Sequence, residues 1–216
     1  MTQPIAVLFD FDGVVVDSFD AHYGAWKQAF QNLFNQDILP FPEETHAGRA
    51  PIEIAAYFCE AIGKPQEAHA LFEAKGTLLH KGNTPPKLLP GVQELTRILK
   101  SKGIPYGIAS NATKEFIANS IKQLEIDYPI FFGVEDYKLP KPNPEPYQML
   151  AKKLGITESN FHKVIVFEDS ITGITAVKNA EMIPIGIRTQ HQDSVLKEAG
   201  CFKSFPTLLE AKTLFT

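Results

Sequence analysis

Asp10 and Asp12 stand one residue apart at the end of the apolar run Ile5–Phe9, in the stretch IAVLFDFDGVVVDS. Side chains alternate along an extended chain, so the two carboxylates project to the same side. Gly13 permits the sharp turn that a Cβ would obstruct. Two acids at the carboxyl end of a buried strand destabilise it unless a cation or a proton divides their charge, so the pair calls for a metal and, with it, a phosphate. An aspartate carboxylate can attack phosphorus and form an aspartyl phosphate, splitting one difficult displacement into two easier ones. Asp10 is assigned that role. Asp12 would protonate the leaving alkoxide and later deprotonate the attacking water. The tasks need different environments, with Asp10 kept ionised by cations and Asp12 able to hold a proton. Taken alone, Asp-x-Asp also reads as a turn after a strand with Asp as a local cap.

Three further groups of residues fit the same chemistry. Glu168 and Asp169 follow the apolar run Val164–Phe167. Asp169 is a natural second carboxylate ligand for magnesium, a hard ion that takes carboxylate, carbonyl, phosphate and water oxygens, and Glu168 could hold a coordinated water. Ser110 and Asn111 follow the run Ile104–Ala109, where a strand turns into a helix. Their side chains and the free amides of the helix start could hold phosphoryl oxygens, or the two residues could simply cap the helix. Lys141 lies between Pro140 and Pro142, which restrict the backbone on both sides. It is a candidate for neutralising phosphoryl charge. Lys138 lacks that constraint and reads as solvated.

The elements that must position these residues alternate. Ile5–Phe9 carries no charge, as a strand buried on both faces would. Phe19, Tyr23, Trp26, Phe30 and Leu33 recur at helical spacing, predicting a helix over 19–35. A Pro-rich, charged loop follows over 37–49. Ile52, Ala55, Phe58, Cys59 and Ile62 mark a second helix stopped by Gly63, and Leu71, Ala74, Leu78 and Leu79 a third. GNTPPKLLPG, 82–91, reads as a linker. Residues 18–87 are therefore expected to be a wholly helical cap, inserted directly after the two acids and well placed to act as a lid. Residues 1–17 and 88–216 would form the core. There a helix over 92–99, strands over 104–109, 130–132, 164–167 and 183–187, and helices over 116–124, 144–154 and 171–182 alternate, with Asn143 capping the helix that begins at Pro144 and 183–187 the last clear strand. The pattern implies an α/β fold, a doubly wound, Rossmann-like parallel sheet with helices on both faces. Ligands in such sheets bind beyond the carboxyl ends of the strands, where the acids, Ser110 and Asn111 all stand.

The bulk properties narrow the function classes. The chain has 216 residues, 21 basic and 25 acidic, for a net charge of −4. Without a basic run this offers no long-range attraction for nucleic acid or anionic lipid. The two cysteines, Cys59 and Cys201, form no framework or zinc pattern and suit a reducing compartment. The N-terminus lacks a secretory pattern, and no stretch reaches the ~18 apolar residues that span a bilayer. A cytoplasmic protein, a monomer or small homo-oligomer acting on a small phosphorylated metabolite, is expected.

DFDGVVVDS, Ser110-Asn111, KPNPEPY and FEDSITGITAV resemble, in order, the four motifs of the haloacid dehalogenase superfamily, and the likeness runs through nearly the whole core. The helical insertion after the first motif resembles the subfamily containing β-phosphoglucomutase and small phosphatases of sugar phosphates and phosphoglycolate. The resemblance implies Asp10 as nucleophile and Asp12 as acid/base. It implies magnesium held by Asp10, the backbone carbonyl of Asp12, and Asp169, and phosphate contacts from Ser110, Asn111 and Lys141. Asp12 separates the chain from the dehalogenases proper, which are not built around a second acid there. Glu181 departs from the pattern, standing in NAEM where the family often has a glycine that suits a left-handed helix stop.

Phosphatase and phosphomutase share a first half-reaction and differ in the acceptor, so residues of the insertion discriminate between them. His22 and Lys75 resemble mutase positions. Against that, the mutase's specificity loop carries an arginine three residues after its glycine, whereas here Gly48 is followed at that distance by Pro51 and Arg49 comes directly after Gly48. The plain alternative for His22, Arg49 and Lys75 is a solvated helix face. A receiver domain would not need the insertion, nor carry its phosphoacceptor on the first strand. A non-catalytic phosphate-binding module has no use for a second acid. A magnesium-dependent phosphatase is the reading that results, with the mutase as its alternative.

Overall fold

The structure, a computed structural model, describes residues 4–39, 50–81 and 86–215. Six parallel strands form one sheet in the order β5-β4-β1-β6-β7-β8, comprising β1 (Ala6–Phe9), β4 (Tyr106–Ala109), β5 (Phe131–Phe132), β6 (Val164–Glu168), β7 (Ile183–Ile187) and β8 (Lys203–Phe205). β1 lies at the centre, with Phe9 opposite both Ile108 of β4 and Phe167 of β6. The chain builds outward from β1 through β4 to β5, then returns to build β6, β7 and β8 on the other side. The carboxyl ends of β1, β4 and β6 therefore meet at the switch point where such sheets bind ligands.

Alternation along the strands feeds two cores. Val7, Phe9, Ile108, Ile165 and Phe167 face one layer, made with helices α4 (Val92–Ser101), α5 (Lys114–Gln123) and α9 (Leu208–Ala211). Ala6, Leu8, Ala109, Val164 and Val166 face the other, with α6 (Glu145–Lys153) and α7 (Ile171–Asn179). A short helix α8 (Asp193–Ala199) packs Leu196 beside Ile174 of α7. Burying each such aliphatic or aromatic side chain contributes ~1.5–3 kcal/mol relative to exposure, which offsets the cost of gathering acids at the strand ends.

Helices α1 (Phe19–Phe34), α2 (Pro51–Ala61) and α3 (Ala68–Lys81) have a core of their own, built on Trp26, Phe30, Ile54, Phe58 and Leu71. This follows the apolar periodicity read from the sequence. Pro51 opens α2, where its missing N–H would be unpaired in any case, and Gly63 stands beyond its end with φ +70.

Four expectations need correction. The stretch read as a linker contains a strand, β3 (Lys87–Leu88), paired antiparallel with β2 (Val16–Asp17), so the two passages between insertion and core are tied as a ribbon. β7 is not the last strand, because β8 pairs with it. Helix α6 begins at Glu145, and Asn143 serves by accepting that residue's amide N–H. α5 begins at Lys114 and is capped by Thr113, so Ser110 and Asn111 precede its cap.

Candidate active site

The site opens at the carboxyl end of β1. Asp10 donates its amide to the Phe167 carbonyl and so stays registered to β6. The chain then turns through Phe11–Val16: the Gly13 amide bonds the Val16 carbonyl at 2.8 Å, and Gly13 adopts φ +75. A Cβ on Gly13 would lie 1.8 Å from Asp169 Oδ2. Only glycine fits there, on both counts.

Carboxylate oxygens of Asp10, Glu168 and Asp169, all buried, lie within 4.8 Å of one another. Lys141 Nζ donates to Asp10 Oδ1 and to Glu168 Oε1, each at 2.7 Å. The charge remains unbalanced, with three acids facing one cation. Burial, and then the negative charge of Glu168, push Asp10 up to about 7 against the pull of Lys141. Burial and the charges of Asp10 and Glu168 hold Asp169 well above the carboxylate range. A group of buried oxygens that retains protons near neutrality is a donor set suited to a hard divalent cation.

The members of this cluster are not equivalent. Asp10 and Asp169 line the cavity, whereas Glu168 does not. Both Glu168 oxygens are engaged internally. Oε1 accepts from Lys141 Nζ and from the Tyr147 hydroxyl at 2.5 Å. Oε2 accepts from the Asp169 and Ser170 amides and the Ser170 hydroxyl. A Cβ on Gly173 of α7 would come within 1.9 Å of this carboxylate. Glu168 therefore has the environment of an anchor for Lys141, with both of its oxygens hydrogen-bonded to neighbouring protein groups.

The loop after β4 supplies a cradle. Ser110 Oγ accepts the Ala112 amide at 3.1 Å. Asn111 Oδ1 accepts the Lys141 amide at 3.1 Å and the Tyr137 hydroxyl at 3.0 Å, while its Nδ2 donates to the Lys141 carbonyl. Tyr137 also donates to the Ser110 carbonyl. The ring of Tyr147 lies under Lys141 Nζ, 4.6 Å from its centroid. Ser110, Asn111 and Lys141 thus come together around Asp10 although 31 positions separate the outermost of the three in sequence (141 − 110).

Asp12 turns toward the insertion. Its Oδ1 accepts the Ser18 hydroxyl and lies 3.8 Å from His22 Nε2. Burial raises its pKa against that hydrogen bond, in the direction an acid that holds a proton requires. His22 and Lys75 are not on a solvated face. Lys75 is 3% exposed, its Nζ lies 2.9 Å from His22 Nδ1 and 5.2 Å from the Trp26 ring centroid. Burial pulls Lys75 down to about 8. Burial and that ammonium keep the imidazole neutral at physiological pH. Nδ1 then accepts from Lys75 and Nε2 carries the proton, buried with no hydrogen-bond partner among the described residues. Gly48 and Arg49 lie outside the described residues.

These groups share one cavity of about 290 Å³, walled by Asp10, Asp12, Ser110, Asn111, Lys141 and Asp169 on the sheet side and by His22, Trp26, Ile54 and Lys75 on the helical side. Two wall residues, Thr189 and Gln190, escaped the sequence reading. They follow β7, carry no motif, and reach the site only through the pairing of β7 with β6.

Comparison with known proteins agrees with this geometry. The chain is 30% identical over 184 residues to the Bacillus subtilis protein YhcW, covering 82% of this chain and 80% of that one. It is 28% identical over 210 residues to the phosphorylated carbohydrates phosphatase of Thermotoga maritima, covering 90% and 91%. The crystal structure of β-phosphoglucomutase from Clostridium difficile superposes with a TM-score of 0.79 at 25% identity, over 96% of this chain and 93% of that one. The family model of the haloacid dehalogenase-like hydrolases matches residues 6–181, spanning the strand ends that carry every acid of the cluster, and the chain belongs to that family.

Proposed function

We propose that this hydrolase is a magnesium-dependent phosphatase of a small phosphorylated metabolite, a sugar phosphate or a similar ester, working through an aspartyl phosphate on Asp10. The observation that carries the reading is the division of labour between the two acids of the first motif. Asp10 is held at 2.7 Å by Lys141 within the buried acid cluster, while Asp12 lies outside that cluster, bonded to the Ser18 hydroxyl and facing His22.

In the first step a carboxylate oxygen of Asp10 attacks phosphorus, the bond from phosphorus to the ester oxygen breaks, and Asp12 gives its proton to the departing alkoxide. In the second, Asp12 takes a proton from water as that water attacks phosphorus, and the phosphorus–Asp10 bond breaks. Inorganic phosphate leaves with Asp10 and Asp12 restored. Lys141, Ser110 and Asn111 line the cavity beside Asp10, where they would bind the phosphoryl oxygens and stabilise charge that develops on them. Asp10 and Asp169 and, as the family resemblance implies, the Asp12 carbonyl would hold magnesium, which when bound would supply the positive charge that keeps Asp10 ionised. Glu168 serves by orienting Lys141. The motif relatives and the named phosphatase among them support hydrolysis.

A second reading, phosphomutase, is favoured by the Lys75–His22 pair at 2.9 Å in the helical wall and by the likeness to β-phosphoglucomutase. Phosphorus NMR separates the two, using the purified protein with magnesium, a panel of small phosphate esters, and β-glucose 1-phosphate primed with a trace of its bisphosphate. Growth of inorganic phosphate is the expected result. Conversion of the 1-phosphate into the 6-phosphate without free phosphate would make the chain a mutase.

A further inference from the structure

Thr189 lies two residues beyond the end of β7, outside all four family motifs, and although the residue is exposed its hydroxyl reaches the acid cluster. Oγ1 is 2.6 Å from the Gly13 carbonyl and 3.2 Å from Asp169 Oδ2. The hydroxyl has one proton, and it is shared between the nearer Gly13 carbonyl and the farther Asp169 carboxylate as a three-centre bond. Its position is fixed from behind: the Arg188 amide bonds the Phe205 carbonyl of β8 at 2.9 Å, and Gly186 of β7 is registered to Glu168 of β6.

We propose that Thr189 is a positioning residue for the cation site, holding the Asp12–Gly13 turn and the Asp169 carboxylate at a fixed separation. The inference rests on the metal reading of the preceding subsection. The turn needs such a hold because its pivot is a glycine at φ +75, the residue type with the widest conformational freedom. Rotation about that pivot would move the adjoining Asp12 carbonyl. Asp169 needs one because its Oδ2 lies directly over Gly13 with no side chain between them. A single hydroxyl from a strand-anchored position touches both. Outer hydrogen bonds of this kind orient metal-binding oxygens, and removing one lowers metal affinity or activity by roughly 10–100-fold.

The test is isothermal titration of EDTA-treated, dialysed full-length protein with magnesium chloride, for wild type, Thr189→Val and Thr189→Ser, each well below its unfolding midpoint in EDTA. Magnesium affinity at least 10-fold weaker in Thr189→Val and close to wild type in Thr189→Ser is expected, with little change in the urea midpoint in EDTA. Thr189→Ala makes the same comparison if the valine does not fit. Equal affinity in wild type and the variants lacking the hydroxyl would overturn the inference while leaving the metal reading intact, as would equal weakening by the serine variant. No magnesium binding by wild type would sink the metal reading, and the inference with it.

Discussion

Lys75 occupies a place that favours neither its charge nor its reach. It is buried beside an imidazole that cannot repay its charge, and its ammonium is pulled down to about 8 from the ordinary 10.5. The folded chain therefore binds fewer protons here than the unfolded chain between those two values, and stability rises with pH through that window. At about 1.4 kcal/mol per pH unit, the burden on the fold at pH 7 is at most about 3 kcal/mol. Replacing Lys75 by methionine, which fills the same apolar channel beside Trp26, is expected to stabilise the protein by up to ~3 kcal/mol at pH 7 and to lower turnover. The gain should fade above pH 10. Urea unfolding at pH 7 and 10 with a phosphatase assay tests it; a variant less stable at pH 7 would show that the ammonium supports the fold. Asp10 invites the same argument in the metal-free protein. Asp10→Asn should reduce turnover by several orders of magnitude without lowering the metal-free unfolding midpoint, since it removes a repelled charge. Substantial residual turnover would contradict its role as nucleophile.

At the scale of elements, Glu181 shows where sequence and backbone disagree. It follows α7 with φ 59, and its amide bonds the Lys178 carbonyl at 2.9 Å. Replacing the family's glycine by Glu181 is expected to change this turn; instead the left-handed stop is kept and made by a residue with a Cβ, at a cost of about 1 kcal/mol. Glu181→Gly should therefore stabilise the protein by ~0.5–1 kcal/mol, less the entropy that glycine adds to the unfolded chain, and leave turnover unchanged. Urea midpoints measure this, and a destabilised variant would show that the glutamate has an offsetting contact. The position of that turn was not legible: the apolar pattern predicts a helix over 171–182, whereas α7 ends at Asn179 and Glu181 already stands in the left-handed stop. The strands at the sheet centre were legible, since Val7–Phe9 and Val164–Phe167 are buried on both faces and carry no polar residue. β2, β3 and β8 escaped because two or three residues leave no periodicity to read, and β3 hides behind two prolines. Lys75 and Thr189 escaped for another reason. A lysine on a helix face usually reaches water, and a threonine after a strand usually caps or turns, so the burial of Lys75 and the contacts of the Thr189 hydroxyl depend on which elements the fold brings against them.

The whole molecule sets the balance that these residues report. The sheet gathers Asp10 from the end of β1 and Glu168 and Asp169 from the end of β6, and among the described residues Lys141 is the cation bonded to Asp10 and Glu168. Asp10, raised from the ordinary 3.8 to about 7, makes the folded state bind more protons than the unfolded state between those values. In metal-free protein this group should therefore make stability fall as pH rises through that window, by at most about 4 kcal/mol, with Asp169 adding in the same direction and His22, held neutral in the fold, acting against it below its ordinary 6.5. Exposed pairs cannot mask the trend above pH 5. Lys152 and Lys197 hold Glu158 and Asp193 below the carboxylate range, so their stabilisation is already complete there. A bound dication competes with the protons on the same oxygens, and it stabilises the fold by ~2.7 kcal/mol at a hundredfold excess over its dissociation constant. Magnesium should accordingly raise the unfolding midpoint strongly at pH 7.5 and only weakly at pH 5, and EDTA should reverse both effects. Urea unfolding at the two pH values, with magnesium and with EDTA, reads the four quantities. Equal magnesium stabilisation at both pH values, or none at either, would mean that these carboxylates are not where the cation binds.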